Sequence, residues 1–406
     1  MTITGAHDRI AELAARLEQE NTDLAVVVMP EHVLMLSGFW PMLGRTVLLC
    51  DRTGSTVALI PDCYRQEAET IDPVVDVRFF SFGLVDSPNL EDSLSTEISR
   101  LFSEHRWTRI GWERSLDQGA PSWNSADMVF PSAKLEETLR RATEHVGATV
   151  DIAPILLDMK RCKNESELEG IRRAGEVSCI GLRFFDRFVE SGRTGVEIAA
   201  AVEREIMVQG TGYGGARRVR AFAQVATGPR EGAVGYRPNE ISTDRPAGSG
   251  DLVLLELGVV VDGYWADRTR VRCVGGPTET QQQVLSVVNE ARQAAIHAIR
   301  PGATAGDVDR AARAVVRRYG YGDDFPHITG HGTGFAYHEP YPTIAPNSTA
   351  VLEEGMVFTV EPGIYRADLG GVRIEDNVAV TAQGAEVLGP YRVGLSGSEN
   401  DDERSS

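Results

Sequence analysis

Five acidic and imidazole side chains stand near the ends of apolar segments in the second half of the sequence. A carboxylate buried in such a place is costly unless a positive charge neutralises it. Four carboxylates and one imidazole that converge on one pocket would suit a pair of divalent metal ions a few ångströms apart. The set therefore predicts metal-assisted hydrolysis, and its members are Glu256, Asp267, His331, Glu361 and Glu375.

Two of these acids are placed by a predicted β-hairpin. Asp262-Gly263 is a strong type I′ turn signal between two β-rich runs. With a two-residue turn, Gly258 pairs with Asp267, and Glu256 lies diagonal to Asp267 on the same face. Because the flanking residues are nearly all apolar, we expect the two carboxylates to share a cation. The alternative is a solvated outer face on which acids alternate.

Three histidines, His327, His331 and His338, follow within a short stretch, out of eight in the chain. The glycines around His331 disfavour a helix and predict an extended or looped segment that brings backbone close to a site. A lone histidine is usually a surface or satisfied core residue, but three so close together favour a site. The HExxH motif is absent, which excludes a helical zinc-protease site.

The last two acids are in segments with strand character. Glu361 follows an apolar run and precedes a Pro-Gly pair, so we expect it at the mouth of a strand. Residues 372–378 alternate, which predicts one strand with Arg373 and Glu375 on the same face. The alternative for this pair is a cross-strand ion pair on the surface, which contributes little to stability.

Composition limits the class of protein. The chain has 406 residues and a formal net charge of −18. This length suits two domains, no stretch approaches the length of a membrane span, and the negative charge argues against nucleic acid. The N-terminus lacks the pattern of a secretory signal, and the five cysteines are scattered without CxxC spacing. We therefore expect a cytoplasmic protein with reduced thiols and no membrane partner.

The coarse pattern predicts a small mixed α/β domain followed by a larger one. An amphipathic helix over residues 7–20 precedes short strands that alternate with helices. Asn164 and Glu167 form a predicted capping box at the start of the next helix. The predicted division is a first domain over 1–155, a catalytic domain over 160–395 and an acidic disordered tail over 396–406.

Two other segments have a chemical interpretation beside a structural one. Residues 210–215 match the dinucleotide-binding fingerprint by letter, but they are predicted to follow a helix and lead into strands. We interpret them as a helix exit loop, because the fingerprint follows a strand and opens a helix. The loop over 37–42 exposes Trp40 and other large apolar side chains. It is interpreted either as local packing or as a contact with a neighbouring subunit or substrate.

In combination, these motifs resemble the pita-bread hydrolases: methionine aminopeptidase, aminopeptidase P, prolidase and creatinase. The resemblance covers about residues 160–395 and rests on the spacing of the two hairpin acids and on GHGTG, HEP, TVEPG and VRIED in that order. It implies an α+β fold, in which a pita-bread catalytic domain follows a smaller mixed α/β domain like that of creatinase and prolidase. It also implies a homodimer, with one chain's N-terminal domain capping the other's active site.

The resemblance implies a dinuclear centre of Mn, Co, Fe or Zn. Asp267 and Glu375 match the bridging carboxylates of the family. His331 and Glu361 match ligands of one metal ion, and Glu256 stands where an aspartate normally binds the other. The implied reaction is hydrolysis of a small peptide or amide C–N bond by a metal-activated water, as in Xaa-Pro dipeptidases and aminopeptidases.

The resemblance also implies catalytic roles. His338 matches the imidazole that handles protons and the developing oxyanion, and Arg373 resembles the residue that orients the carboxylates. Glu361 and Glu256 are predicted to take part in catalysis as well as in metal binding. His327 is predicted to contact the substrate, together with Trp40 from the first domain.

Two positions depart from the family pattern. Glu256 is one methylene longer than the usual aspartate, so it could keep the ligand, alter its denticity or turn towards the substrate. Between 226 and 237, peptidases of this branch carry a histidine where this chain has Gly235 and Tyr236. Tyr236 and Arg237 are therefore predicted to bind a different substrate, anionic or polar.

Three functions stay open on the sequence. The nearly whole ligand set favours a metal-dependent peptidase. The two departures favour a non-peptidase of the same fold, similar to creatinase, ectoine hydrolase or dimethylsulfoniopropionate lyase, some of which work without metal, with Glu256 as base or nucleophile. A catalytically dead binding protein is the third, but it would be expected to lose ligands, and all five positions here keep an acid or imidazole.

Overall fold

The computed structural model describes residues 5–41, 46–82, 89–113, 137, 139–141, 147–237 and 241–396. The chain divides into two compact units, Met1–Glu167 and Leu168–Ser406. The predicted domain borders at 155 and 160 stay predictions, and residues 397–406 of the predicted tail lie outside the described residues. Within the described residues, no helix combines the length and apolar character needed to cross a membrane.

The first unit is built on one six-stranded sheet with the strand order β4-β3-β2-β1-β5-β6. Strand β1 pairs antiparallel with β2 and parallel with β5, so the sheet is mixed. The helices are α1 Gly5–Gln19, α2 Pro30–Ser37, α3 Leu90–Glu104 and α4 Ala153–Met159. The strands are β1 Leu24–Val27, β2 Val47–Asp51, β3 Thr56–Pro61, β4 Val75–Phe80, β5 Arg109–Trp112 and β6 Ala148–Asp151.

The amphipathic opening helix is confirmed, because the predicted apolar face of α1 is buried. The exposure predicted for the 37–42 loop is wrong at Phe39, whose side chain is buried and packs edge-on against Tyr64 at 5.2 Å. An aromatic ring of this size is driven into the core by the apolar area it removes from water. Trp40 is half-buried in the same unit, and its contact with substrate stays a prediction.

The second unit contains the predicted site residues other than Trp40. Its helices are α5 Glu165–Phe188, which spans the division, α6 Gly195–Gly210, α7 Gly228–Gly232, α8 Glu279–Ala298 and α9 Ala305–Arg318. Its strands are β7 Val219–Thr227, β8 Leu252–Val261, β9 Tyr264–Cys273, β10 Gly330–Gly332, β11 Glu339–Ile344, β12 Val357–Val360, β13 Gly363–Arg366, β14 Gly370–Arg373, β15 Asp376–Thr381 and β16 Gly384–Val387. They form three sheets, β7-β8-β9, β11-β10-β12-β15-β16 and β13-β14.

Short-range signals explain where these elements begin. The predicted capping box is present at α5, where the Glu167 amide donates to Asn164 Oδ1 at 3.0 Å and the Asn164 amide donates to Glu167 Oε2 at 2.8 Å. The helix exit loop is also confirmed. Residues 210–215 close α6 with a 3-10 turn and lead into β7, so the glycines serve a change of direction rather than a phosphate.

Candidate metal centre

The predicted hairpin sets the first two acids. Asp262 and Gly263 have φ of 50° and 96°, as a type I′ turn requires. The register pairs Gly258 with Asp267 and Glu256 with Thr269, as the two-residue turn predicts. Glu256 and Asp267 therefore share one face of the β8-β9 ribbon, and that face is the floor of the site.

Asp267 is the most deeply buried of the acids, at 1% exposure. Neither of its carboxylate oxygens has a hydrogen-bond partner among the described residues, although its amide donates to Asn377 Oδ1 at 2.8 Å. Burial and the neighbouring Glu375 carboxylate raise the pKa of Asp267 well above its ordinary value. A carboxylate held in this way needs a cation.

His331 presents one nitrogen to the acids. Its Nδ1 lies 3.0 Å from the Gly332 carbonyl oxygen, which can only accept, so Nδ1 carries the proton. In the neutral ring Nε2 is then unprotonated, and it lies 3.5 Å from Asp267 Oδ2 and 3.6 Å from Glu361 Oε1. A Cβ at Gly330 would collide with the Thr359 carbonyl, which confirms that glycine is needed for this close approach.

Glu361 follows directly after β12, at the strand mouth as predicted. It accepts from Thr359 Oγ1 at 3.2 Å. Burial and the nearby Glu375 carboxylate raise the pKa of Glu361 well above its ordinary value, in the same direction as for Asp267. Asp267 and Glu361 would therefore both be stabilised in their ionised forms by a cation bound in the site.

Glu375 and Arg373 do not lie on one continuous strand, so that prediction is wrong. The chain leaves β14, where Arg373 pairs with Gly363, and enters β15, where Asp376 pairs with Val360. Between them Glu375 forms an isolated bridge with Thr269, its amide donating to the Thr269 carbonyl at 3.2 Å. The surface ion-pair alternative is also wrong, because Arg373 is 3% exposed and Glu375 is 1% exposed.

The donor set fits a divalent cation. Glu375 Oε1, like both oxygens of Asp267, is buried without a hydrogen-bond partner among the described residues. Oxygen and imidazole donors are those preferred by hydrolytic divalent metals. Three groups of donor atoms each lie within 4.8 Å of one another: Asp267, His331 and His338; His331, Glu361 and Glu375; and Glu256, Asp267 and Glu375.

Comparison with known proteins agrees with this geometry. Residues 169–382 match the model of metallopeptidase family M24. The chain belongs to metallopeptidase family M24. The predicted pita-bread family, its α+β fold and its hydrolase class are thereby confirmed.

Individual relatives of this M24 protein align over nearly its whole length. An Xaa-Pro dipeptidase of Pyrococcus furiosus is 29% identical over 94% of this chain and 97% of its own. An uncharacterized peptidase of Staphylococcus haemolyticus is 30% identical over 94% of this chain and 99% of its own. The crystal structure of the prolidase from Pyrococcus horikoshii has a TM-score of 0.76 and 27% identity, and it covers 96% of this chain and 99% of its own.

The M24 site contains hydroxyl groups that sequence reasoning missed. Tyr337 donates to Glu256 Oε1 at 2.5 Å, and its ring stacks on His338 at 4.5 Å. Thr269 donates to Glu375 Oε2 at 2.6 Å. The position of Tyr337 next to His338 in the sequence is only a weak indication that it belongs to the site. Strand alternation is a stronger indication for Thr269, because it places Thr269 on the same face of the hairpin as Asp267.

His338 lies against the imidazole of His331, with the ring centroids 3.7 Å apart. Its Nε2 is 4.0 Å from Asp267 Oδ2. Burial and the adjacent His331 lower the pKa of His338 to about 2. The M24 site therefore holds His338 as a neutral imidazole, and its predicted catalytic role stays a prediction.

The predicted substrate residues His327, Tyr236 and Arg237 lie beside one another in the M24 unit, with Tyr365 against the rings of His327 and Tyr236. His327 donates from Nδ1 to the Ile328 carbonyl at 2.7 Å and accepts at Nε2 from Tyr365 at 2.9 Å. Tyr236 packs edge-on against Tyr365 at 5.0 Å, and the Arg237 guanidinium is 5.3 Å from the Tyr236 ring centroid. Both nitrogens of His327 are thus engaged by the protein, and the substrate contacts predicted for His327, Tyr236 and Arg237 stay predictions.

A layer of buried arginines supports the M24 site from behind. Arg268, Arg270 and Arg272 alternate with the site residues of β9 and are 0%, 1% and 2% exposed. Asp376 accepts ion pairs from Arg268 at 3.0 Å and from Arg270 at 2.8 Å, and it also contacts Arg292. This charged layer fixes the strand that carries Asp267.

Proposed function

We propose that this chain is a metal-dependent peptidase that hydrolyses the bond before proline in Xaa-Pro dipeptides or at the start of short peptides. The observation that carries the proposal is the group of buried carboxylate oxygens on Asp267 and Glu375 that have no hydrogen-bond partner among the described residues, with His331 Nε2 3.5 Å from Asp267 Oδ2. Support also comes from the relatives, one named an Xaa-Pro dipeptidase and one a prolidase. The proposal includes two divalent ions, with manganese as the first candidate, and a cytoplasmic homodimer.

The ions would be held by Glu256, Asp267, His331, Glu361 and Glu375, and when bound they would supply an activated water and polarise the scissile carbonyl. Glu361, at the edge of the group, is placed to accept the proton of the attacking water.

His338 would act on the substrate, whereas Arg373 would act on a metal ligand. His338 is a neutral, half-buried imidazole beside His331, so it can donate a hydrogen bond to the developing oxyanion. Arg373 donates from Nε to Thr269 Oγ1 at 2.8 Å, and Thr269 in turn donates to Glu375. This chain of hydrogen bonds orients the Glu375 carboxylate.

The non-peptidase alternative is weakened at its key residue. It requires Glu256 as a free base or nucleophile, but both Glu256 oxygens are engaged, Oε1 by Tyr337 and Oε2 by Arg373. A carboxylate that accepts two such bonds is a weaker base and nucleophile than a free one. The relatives reported above are also all named as peptidases or prolidases.

Dialysis against chelator is expected to lower the rate of Xaa-Pro hydrolysis by about 100-fold or more, since the metal ions contribute several kcal/mol to transition-state stabilisation. Manganese or cobalt should restore the rate. The measurement is kcat/KM on dipeptides that share the first residue and carry proline or alanine second, with the proline substrate preferred. Turnover unchanged by chelator, or hydrolysis of creatine-like and ectoine-like amides in place of dipeptides, would contradict the proposal.

A further inference from the structure

Glu375 lies at a break between two strands, so its position depends on contacts outside a regular sheet. Its amide donates to the Thr269 carbonyl at 3.2 Å, in an isolated bridge between β14 and β15. Its Oε2 accepts from the Thr269 hydroxyl at 2.6 Å, while its Oε1 is buried without a hydrogen-bond partner among the described residues. A metal ligand placed by so short a bridge needs further support to keep one orientation.

Arg270 supports this break from the other face of β9. Consecutive strand residues point to opposite faces, so Arg270 faces away from the metal centre when Thr269 faces towards it. The Nη1 of Arg270 donates to the Thr269 carbonyl at 2.9 Å and to the Glu375 carbonyl at 2.7 Å. Its Nη2 pairs with Asp376 at 2.8 Å. One buried guanidinium therefore holds the backbone of both residues of the bridge.

The other donors of this guanidinium are bound by a segment near the end of the chain, residues 388–395, here called the C-terminal strap. Arg270 donates from Nη2 to the Tyr391 carbonyl and from Nε to the Arg392 carbonyl, both at 3.1 Å. Because these carbonyls belong to the strap, the strap fixes the direction of the guanidinium. The strap is thereby linked to the metal ligand through one side chain.

Arg272 shares the strand, the face and the strap of Arg270 but not its link to the metal ligand. It donates to the Gly394 carbonyl of the strap and pairs with Asp186. Its exposure is 2%, against 1% for Arg270. Within the described part of the chain it makes no hydrogen bond to Glu375. The two arginines therefore form a matched pair in which only one reaches the metal centre.

We propose that Arg270 is a positioning residue that ties the C-terminal strap to the metal ligand Glu375. The strap carbonyls fix the guanidinium, the guanidinium fixes the Glu375 backbone, and the Thr269 hydroxyl then fixes the carboxylate. Loss of such a supporting contact lowers metal affinity by about 10- to 100-fold. The inference rests on the proposed metal-dependent function and deepens it, because metal affinity comes to depend on a segment behind β9.

The test is a manganese titration of full-length, chelator-treated variants by calorimetry, with urea unfolding of the metal-free samples in parallel. Arg270→Lys keeps a cation for Asp376 but lacks the fork that spans the two carbonyls and the strap, so manganese affinity should fall by about tenfold or more. Arg272→Lys should lose comparable stability and bind manganese with wild-type affinity. Equal losses of affinity in the two variants, or wild-type affinity in Arg270→Lys, would overturn the inference and leave the peptidase proposal standing.

Hydrogen exchange in the wild-type chain gives a second test, which serves if Arg270→Lys fails to fold. Manganese should slow amide exchange in the strap more than in α6, whose buried residues pack in an apolar core. The reason is that binding at Glu375 restrains one end of the hydrogen bonds that hold the strap. Equal slowing in the two segments would contradict the link. A wild type that binds no manganese would remove both the inference and the proposed function.

Discussion

Asp267→Asn is expected to abolish peptide hydrolysis and, at the same time, to make the metal-free protein more stable. The substitution keeps the shape of the side chain and removes the charge that would bind metal. Asp267 belongs to two of the three donor groups, so its loss should weaken metal binding throughout the site. Because the metal ions contribute several kcal/mol to transition-state stabilisation, kcat/KM should fall by about 1,000-fold or more.

The stabilising effect follows from the sign of the pKa shift. Burial and Glu375 raise the pKa of Asp267 above its ordinary value of 3.8, so the folded metal-free protein holds that proton more tightly than the unfolded chain does. Asp267 therefore makes its full contribution to stability at pH values below its ordinary pKa. This contribution is lost as the pH rises through the pKa of Asp267 in the folded protein. An asparagine has no such loss, so its advantage should grow between pH 4 and pH 7.

Thermal unfolding of chelator-treated wild type and Asp267→Asn across this pH range measures the effect. Manganese should raise the melting temperature of the wild type and leave the variant nearly unchanged, because ligand binding stabilises only a folded state that can bind it. Glu354→Gln, at an exposed position away from the donor groups, is the control and should alter neither activity nor melting temperature. An active Asp267→Asn enzyme would refute the assignment of this residue.

Asp376→Asn should destabilise the protein by about 3–5 kcal/mol, because it leaves buried arginines without their shared carboxylate. Burial alone would raise the pKa of Asp376, but Arg270, Arg268 and Arg292 hold it at about 2. The contribution of this carboxylate is thus present above its ordinary pKa of 3.8 and is lost only as the pH falls towards 2.

Urea unfolding at neutral pH measures this loss, with Glu290→Gln as the matched control. Glu290 also pairs with an arginine, Arg318, but both side chains are largely exposed, so the control should cost about 1 kcal/mol or less. Similar small changes in both variants would show that the arginine layer contributes little. A large loss confined to Asp376→Asn supports its role behind the metal site.

Much of the local structure was determined by short stretches of sequence. The turn at Asp262-Gly263 and the alternation of the strands on each side set the register that places Glu256 near Asp267. The glycines around His331 and the capping pair of Asn164 and Glu167 act over a few residues in the same way. Such signals are readable because backbone conformation and side-chain direction repeat with a fixed period along the chain.

The partners of the site residues were decided only by the tertiary structure. The pairing of Glu256 with Arg373, the hydroxyl of Tyr337 and the break in the strand before Glu375 depend on residues that are distant in sequence. The alternating arginines of β9 likewise have the pattern of a solvated strand face, yet they are buried. A periodic pattern states which residues share a face, but a charged group is stable in the interior only where folding brings an opposite charge or hydrogen-bond partners to it.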